Sequence, residues 1–355
     1  MAAKQKPKLA MYWAAACGGC EISVLNIGDK LLAVDEAFDV AFWPVAADFK
    51  VKDVEAYPDG YIDLCLFNGA IRTSENEEMA HLLRRKSKVL VAFGACASEG
   101  GIPALASLTT RQAIFRTVYL DNPSIDNPDG VLPQPISQVP EGELRIPTYA
   151  ETVRALDQVV PVDYVMPGCP PEPHQIGAVV EAIISGATLP APGSTILGAG
   201  NSAVCDECPL EKHEKKIQRF YRPYAINPQP GVCLLEQGLV CLGPATRCGC
   251  GALCPQVGMR CAGCYGPLDG AADQGARILA AIASVVDAGN ARDDEAALMH
   301  KAQEVMDMLA DPAGTFYRFS LAHSLLQRAR VADPPPSPRE AAPAGKEMHH
   351  ETHHD

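Results

Sequence analysis

The sequence of 355 residues lacks any apolar run of the roughly 18–20 residues that a membrane-spanning helix needs. Its short basic N-terminus is followed by no signal-peptide core, and no twin-arginine motif precedes the first predicted domain. We therefore predict a cytoplasmic protein without direct membrane insertion.

An excess of basic residues is also missing, since 43 Asp and Glu outnumber 30 Lys and Arg and give a net charge of −13. Phosphate binding needs clustered Lys and Arg, so this balance excludes nucleic acid as a partner. Aromatic residues make up only 6% of the chain, while 29 Gly and 30 Pro favour a turn-rich fold over a helical bundle.

Cysteine is abundant by contrast, with 14 residues. Because disulfides are rare in a reducing cytoplasm, this number predicts metal ligands. Cys65 is the exception, since it lies inside the apolar run 62–67 and fits a small buried hydrophobic residue.

Short apolar runs alternate with helical stretches between residues 8 and 195. Continuous apolar strands separated by helices are typical of a parallel sheet covered on both faces. The predicted fold class is therefore α/β, a flavodoxin-like doubly wound parallel sheet. We predict strands over 9–15, 38–43, 62–68, 88–93 and 164–166, and helices over 21–34, 76–85 and 172–185.

The rest of the chain departs from this pattern. The Pro-rich segment 121–148 predicts a long irregular excursion, and 190–194 a linker. The segment 200–270 holds nine of the 14 Cys and predicts a small irregular domain that bound metal clusters hold together. Further predictions are C-terminal helices within 271–330, at 271–288, 294–309 and 316–328, and a disordered tail over 331–355.

Three predicted strands end in turns that carry thiols. Cys17 and Cys20 follow the first strand, Cys96 follows the strand 88–93, and Cys169 follows the strand 164–166. Because the carboxyl ends of parallel strands converge on one crevice, these four thiols predict a [4Fe–4S] site. A thioredoxin-like redox pair and structural zinc are the alternatives.

The nine remaining candidate thiols lie between residues 205 and 264, in Gly- and Pro-rich surroundings poor in His. This density favours two ferredoxin-like sites, with paired zinc ribbons as the competitor. Two four-Cys sites leave one thiol over. Cys248 and Cys250 are too close in sequence to serve one cluster easily, and their chemistry does not say which is the spare.

These motifs, in this order, resemble the small subunit of nickel–iron hydrogenases over residues 8–270. The likeness is strongest to the cytoplasmic methyl-viologen-reducing (F420-non-reducing, heterodisulfide-reductase-linked) and F420-reducing branch, and the segments 234–247 and 249–252 carry it. The resemblance implies three [4Fe–4S] clusters and makes Cys248 the spare thiol. It implies a proximal cluster on Cys17, Cys20, Cys96 and Cys169, a medial cluster on Cys250, Cys254, Cys261 and Cys264, and a distal cluster on Cys205, Cys208, Cys233 and Cys241.

Two of these positions differ from relatives within the hydrogenases. Cys254 supplies a fourth medial ligand where periplasmic forms commonly hold a three-iron cluster on three Cys. Cys205 stands where membrane-linked forms have His, which implies a distal cluster of lower potential.

The resemblance also implies a division of labour. Hydrogen chemistry belongs to the nickel–iron centre of a separate large subunit, so no catalytic residue is expected in this chain. The chain would relay electrons from that subunit to a downstream iron–sulfur or flavin acceptor subunit. A heterodisulfide-reductase-type flavoprotein, F420 and NAD(P) all remain open as acceptors. The alternatives are the iron–sulfur subunit of a complex-I-like quinone reductase, which lacks a second Cys-rich domain, and a zinc-stabilised scaffold.

Three weaker features complete the picture. Glu21 can join a proton route. Its position in a first helical turn favours instead a role as a simple charge partner of the helix dipole. His174 can form a hydrogen bond near the first site, but a structural role is expected. His349, His350, His353 and His354 predict a solvated polar tail.

Overall fold

The computed structural model describes residues 6–213, 216–289, 291, 294–309 and 311–326. This part of the chain contains ten strands. They are, in chain order, β1 (Lys8–Trp13), β2 (Asp39–Phe42), β3 (Ile62–Asn68), β4 (Ile71–Thr73), β5 (Ser87–Phe93), β6 (Ile136–Val139), β7 (Gly142–Arg145), β8 (Tyr149–Arg154), β9 (Tyr164–Met166) and β10 (Thr195–Ile196).

Six of the strands form one sheet in the order β10-β9-β5-β3-β1-β2, with every neighbouring pair parallel. Leaving out the edge strand β10, this is the flavodoxin-like order, in which the first strand lies between the second and third. The predicted fold class is confirmed. β4 pairs with β8 in a separate two-stranded sheet.

Twelve α-helices accompany these strands in the described residues. They are α1 (Gly19–Leu25), α2 (Lys30–Ala37), α3 (Val51–Ala56), α4 (Ser74–Lys86), α5 (Ala95–Glu99), α6 (Arg111–Arg116), α7 (Pro173–Ile184), α8 (Val204–Glu207), α9 (Leu253–Gln256), α10 (Gln274–Val285), α11 (Glu295–Asp307) and α12 (Pro312–Phe316).

The sheet is buried on both faces. In β1, Ala10 packs into the core on one face and Met11 into the core on the other. Leu90 and Val91 of β5 alternate in the same way. Because both side-chain sets are buried, these strands carry nearly continuous apolar runs, 9–13 in β1 and 89–93 in β5, which is why the sequence predicted them.

The predicted helix 21–34 is wrong as a single element. The chain forms α1 and α2 instead, separated by a turn in which Gly28 has a φ of +67°. A left-handed residue cannot continue a right-handed helix, so the helical direction changes at this glycine.

The predicted irregular excursion over 121–148 contains a hairpin that the sequence analysis missed. β6 and β7 pair antiparallel, from Ile136 opposite Arg145 to Val139 opposite Gly142. Nearly all residues of both strands are exposed. No face is buried, so no apolar alternation marks them in the sequence.

The C-terminal region also differs from its prediction. No helix runs from residue 316 through the described residues to 326; α12 ends at Phe316, and only a 3₁₀ turn follows, over Leu321–His323. Asp311 caps α12 by accepting from the amide of Gly314 at 2.9 Å, so this helix begins earlier than predicted. The predicted tail, 331–355, lies outside the described residues.

The Cys-rich segment shares a core with the C-terminal helices. Cys241 and Cys261 belong to the same buried cluster as Ile278 of α10 and Phe316 of α12. The segment therefore buries apolar surface against these helices. This packing stabilises it in addition to any bound clusters. No helix in the described part of the chain is long and apolar enough to cross a membrane.

Candidate iron–sulfur sites

The first thiol group lies at the carboxyl ends of β1, β5 and β9. Cys20 is buried in α1, and burial is the largest cause that raises its pKa. The neighbouring thiols of Cys96, Cys169 and Cys17 raise it further, which they can do only at short range. The structure therefore brings together the four thiols that the strand ends predicted.

Glycines make room for these sulfur atoms. A Cβ at Gly94 would collide with the Sγ of Cys20, and one at Gly101 would lie 2.6 Å from the Sγ of Cys96. Both glycines have a positive φ, which side chains rarely adopt. The amide that follows Gly94 donates to the carbonyl of Gly168 at 2.7 Å, which ties two of the ligand turns together.

The buried thiols are costly to ionise without a cation. Burial raises the pKa of Cys96 to about 12 and that of Cys169 to about 11, and neighbouring thiols add to both. Metal binding deprotonates such thiols and neutralises their charge. Clustered thiols held against glycine backbone fit an iron–sulfur cluster.

A second thiol group lines a cavity of about 270 Å³ near the start of α8. Burial is the largest cause that raises the pKa of Cys205, which lies at the start of that helix. The neighbouring thiols of Cys241, Cys233 and Cys208 raise this pKa further. A Cβ at Gly243 would lie 2.9 Å from the Sγ of Cys205, so glycine again opens the site. This cavity has room for a group of several atoms.

A third thiol group lies between the other two. Burial raises the pKa of Cys264 to about 12, and its neighbours include the thiols of Cys250 and Cys254. Cys261 is buried and next to Cys264 in the same group. Cys250 lies in a loop of left-handed residues before α9.

Single contacts connect the three groups in series. The thiol of Cys169, in the first group, lies close enough to Cys264, in the third, to raise the pKa of that thiol. The amide of Cys261, in the third group, donates to the Sγ of Cys241 in the second at 3.3 Å. The third group is therefore the middle one in space.

Two thiols lie outside these groups. Cys65 is fully buried in the core on one face of the sheet, as the sequence predicted. Cys248 turns towards Gly200 and accepts a hydrogen bond from Ser202 at 3.1 Å. Among the described residues, no three His, Cys, Asp or Glu side chains lie close enough to hold a single metal ion.

Glu21 lies in the first turn of α1, as a partner of the helix dipole must, but only 3% of the residue is exposed. Its carboxylate accepts from the indole of Trp43 and from the amide of Asn68, the latter at 3.0 Å. Burial raises its pKa, and these two hydrogen bonds lower it. Trp43 and Asn68 lie at the ends of two strands, so the periodicity of the helix that contains Glu21 could not predict these hydrogen bonds.

Polar residues that the sequence analysis did not single out also touch the thiol groups. Lys212 donates to the carbonyl of Cys205 at 2.8 Å, and Glu207 accepts from the amide of Gly249. His174 contacts the carbonyl of that same glycine at 3.1 Å. In the sequence, only the acidic residues inside the 205–208 motif could have indicated these polar contacts.

Comparison with known proteins gives consistent relatives. The family model of the NADH ubiquinone oxidoreductase 20 Kd subunit matches residues 17–183. An F420-non-reducing hydrogenase iron-sulfur subunit of Archaeoglobus profundus is 40% identical over 327 residues, which cover 90% of this chain and 98% of that subunit. An F420-non-reducing hydrogenase subunit of Methanothermobacter marburgensis is 35% identical over 327 residues, with 91% and 96% covered.

A solved structure is also similar. One chain of the NAD⁺-reducing [NiFe]-hydrogenase in the H₂-reduced state is 29% identical and covers 53% of this chain and 96% of that chain, with a TM-score of 0.45. The match to the family model ends before the Cys-rich segment, whereas the two relatives extend across it.

Proposed function

Because this chain belongs to the family of F420-non-reducing hydrogenase iron–sulfur subunits, we propose that it relays electrons through three [4Fe–4S] clusters in a nickel–iron hydrogenase. The serial contact of three thiol groups carries this proposal. Electrons from hydrogen oxidation in a large subunit would enter at one end and leave at the other for an acceptor subunit.

The residues that would hold the clusters are those of the three thiol groups. An iron–sulfur cluster, when bound, supplies a carrier that accepts and releases one electron. The chain contributes thiolate ligands, backbone amides aimed at sulfur, and a buried surrounding that tunes the potential. The proposed ligands are Cys17, Cys20, Cys96 and Cys169 (proximal), Cys250, Cys254, Cys261 and Cys264 (medial), and Cys205, Cys208, Cys233 and Cys241 (distal).

The entry point of this relay is the edge of the sheet at Cys17, the one exposed thiol of the proximal group. Large apolar side chains near it in the chain are also exposed: Trp13 is 40% exposed, and Ile22 and Leu25 of α1 are 56% and 50% exposed. Exposed large apolar residues favour a protein partner. We assign this edge to the hydrogenase large subunit.

The exit point is the cavity of the distal group, which opens beside the exposed Lys212. An acceptor subunit with an iron–sulfur or flavin group would approach here, because electron transfer requires short distances. The 14 cysteines, most of them proposed ligands, support a reducing compartment and hence the cytoplasm, because disulfides are rare there.

A complex-I-like quinone reductase subunit is the second candidate, since the matching family model bears that description. That model covers only residues 17–183 and includes none of the medial or distal thiols. The relatives that span the Cys-rich segment favour the hydrogenase subunit.

Anaerobic purification from native cells tests the proposal. We expect a brown protein that dithionite bleaches, that contains iron without stoichiometric zinc, and that copurifies with a nickel-containing subunit. Metal analysis and electron paramagnetic resonance (EPR) of the reduced protein provide the measurements. A colourless zinc protein, or a complex without nickel, would refute the assignment.

A further inference from the structure

A carboxylate from the distal motif holds the backbone of the medial group. Glu207 is the last residue of α8, but its side chain reaches the loop 249–252. Oε1 and Oε2 each lie 3.1 Å from the amide nitrogen of Gly249, and Oε1 lies 3.2 Å from that of Ala252. One side chain therefore joins segments that are more than 40 positions apart in the chain.

The loop 249–252 has a backbone that needs such an anchor. Gly249, Gly251 and Ala252 have φ values of +126°, +67° and +54°. The left-handed conformation costs a residue with a Cβ about 1–2 kcal/mol, so Ala252 keeps it only where the surroundings hold it. The amide of this strained residue is one of the two that donate to Glu207. Amides turned to one side by left-handed residues form a concave site for an anion, and here Glu207 fills it.

Cys250 lies in the middle of this loop. Its Sγ is 3.7 Å from Oε1 of Glu207, so the carboxylate faces the ligand sulfur directly. Nε2 of His174 also lies 3.1 Å from the carbonyl oxygen of Gly249. Two side chains thus contact the loop backbone, and Glu207 also reaches the sulfur.

We propose that Glu207 is a positioning residue of the medial site, which shapes the Cys250 loop and lowers the reduction potential there. This inference rests on the function proposed above. A negative charge beside a ligand sulfur disfavours an added electron. In the relay, one electron leaves the medial site, which is oxidised, and enters the distal site, which is reduced; no bond or proton changes. A lower medial potential makes this transfer more favourable.

Three variants of the full chain, purified anaerobically with its accompanying subunits, test this role. Glu207→Ala removes the acceptor of both amides, those of Gly249 and Ala252. Glu207→Gln keeps an acceptor at the Oε1 position, which both amides reach, but removes the charge. Asp206→Asn is the matched control, because this neighbouring carboxylate accepts instead from the amide of Ala203, at the start of α8.

The measurements are iron content and EPR redox titration, with Cys250→Ser as the reference for a lost medial site. We expect Glu207→Ala to lose about a third of the iron, with the same difference spectrum as Cys250→Ser. We expect Glu207→Gln to keep its iron and to shift only the medial potential upwards, and Asp206→Asn to match the wild type.

Wild-type iron and spectra in Glu207→Ala would overturn the inference. So would an unshifted medial potential in Glu207→Gln, or equal losses in Glu207→Ala and Asp206→Asn. A wild-type chain without iron would instead refute the proposed function, so the two failures are distinguishable.

Discussion

His323 joins the C-terminal segment to the sheet domain through two carboxylates. Its Nδ1 lies 3.0 Å from Glu99 of α5, and its Nε2 lies 3.0 Å from Asp157. Both ring nitrogens face acceptors, so the protonated ring satisfies both contacts. Burial lowers the pKa of His323, but the hydrogen bonds to Asp157 and Glu99 outweigh it and raise the pKa to about 10.

The shift from 6.5 to about 10 sets the magnitude of a testable effect. At 1.36 kcal/mol per unit it corresponds to about 5 kcal/mol. The His323 side chain is 30% exposed and Asp157 is 35% exposed, so solvent screening leaves about 2 kcal/mol. Because the pKa is higher in the folded state, this stabilisation is complete below pH 6.5 and is lost as the pH rises towards 10.

Hydrogen exchange measures the consequence. Between pH 7 and pH 10, after correction for intrinsic exchange, we expect the protection of amides 321–326 to fall about 30-fold in the wild type. His323→Gln should show low protection already at pH 7 and little further change. His81→Gln, on the exposed side of α4, is the control and should follow the wild type. Identical pH profiles in the wild type and His323→Gln would refute the reasoning.

Three further substitutions separate ligands from structural residues. Gly94→Ala places a methyl group against the Sγ of Cys20, at a position whose φ is +86°. Anaerobic iron analysis should therefore show about a third of the iron lost, and full retention would contradict the proximal site. Cys248→Ser should keep all its iron whereas Cys250→Ser should lose about a third, and equal behaviour in the same analysis would contradict the choice of spare thiol. Cys65→Ala should keep its iron and lower the free energy of unfolding by about 1 kcal/mol, measured by thermal unfolding beside the wild type; lost iron would make Cys65 a ligand.

The sequence by itself determined the sheet and the positions of its thiols. β3 and β9 have the bounds that were predicted, because strands buried on both faces carry nearly continuous apolar runs. The convergence of the proximal thiols followed from the same strands, since parallel carboxyl ends share one edge. Cys65 was recognisable as a core residue for the same local reason.

Only the tertiary structure decided the contacts that join distant segments. Glu21 is buried because Trp43 and Asn68 come to it from other strands, and no periodicity near Glu21 reports them. Glu207 reaches a loop more than 40 residues away, and the exposed hairpin of β6 and β7 has no buried face to mark it. Local sequence patterns predict which side chains are buried. The packing of the whole chain determines which of these buried or polar groups contact each other.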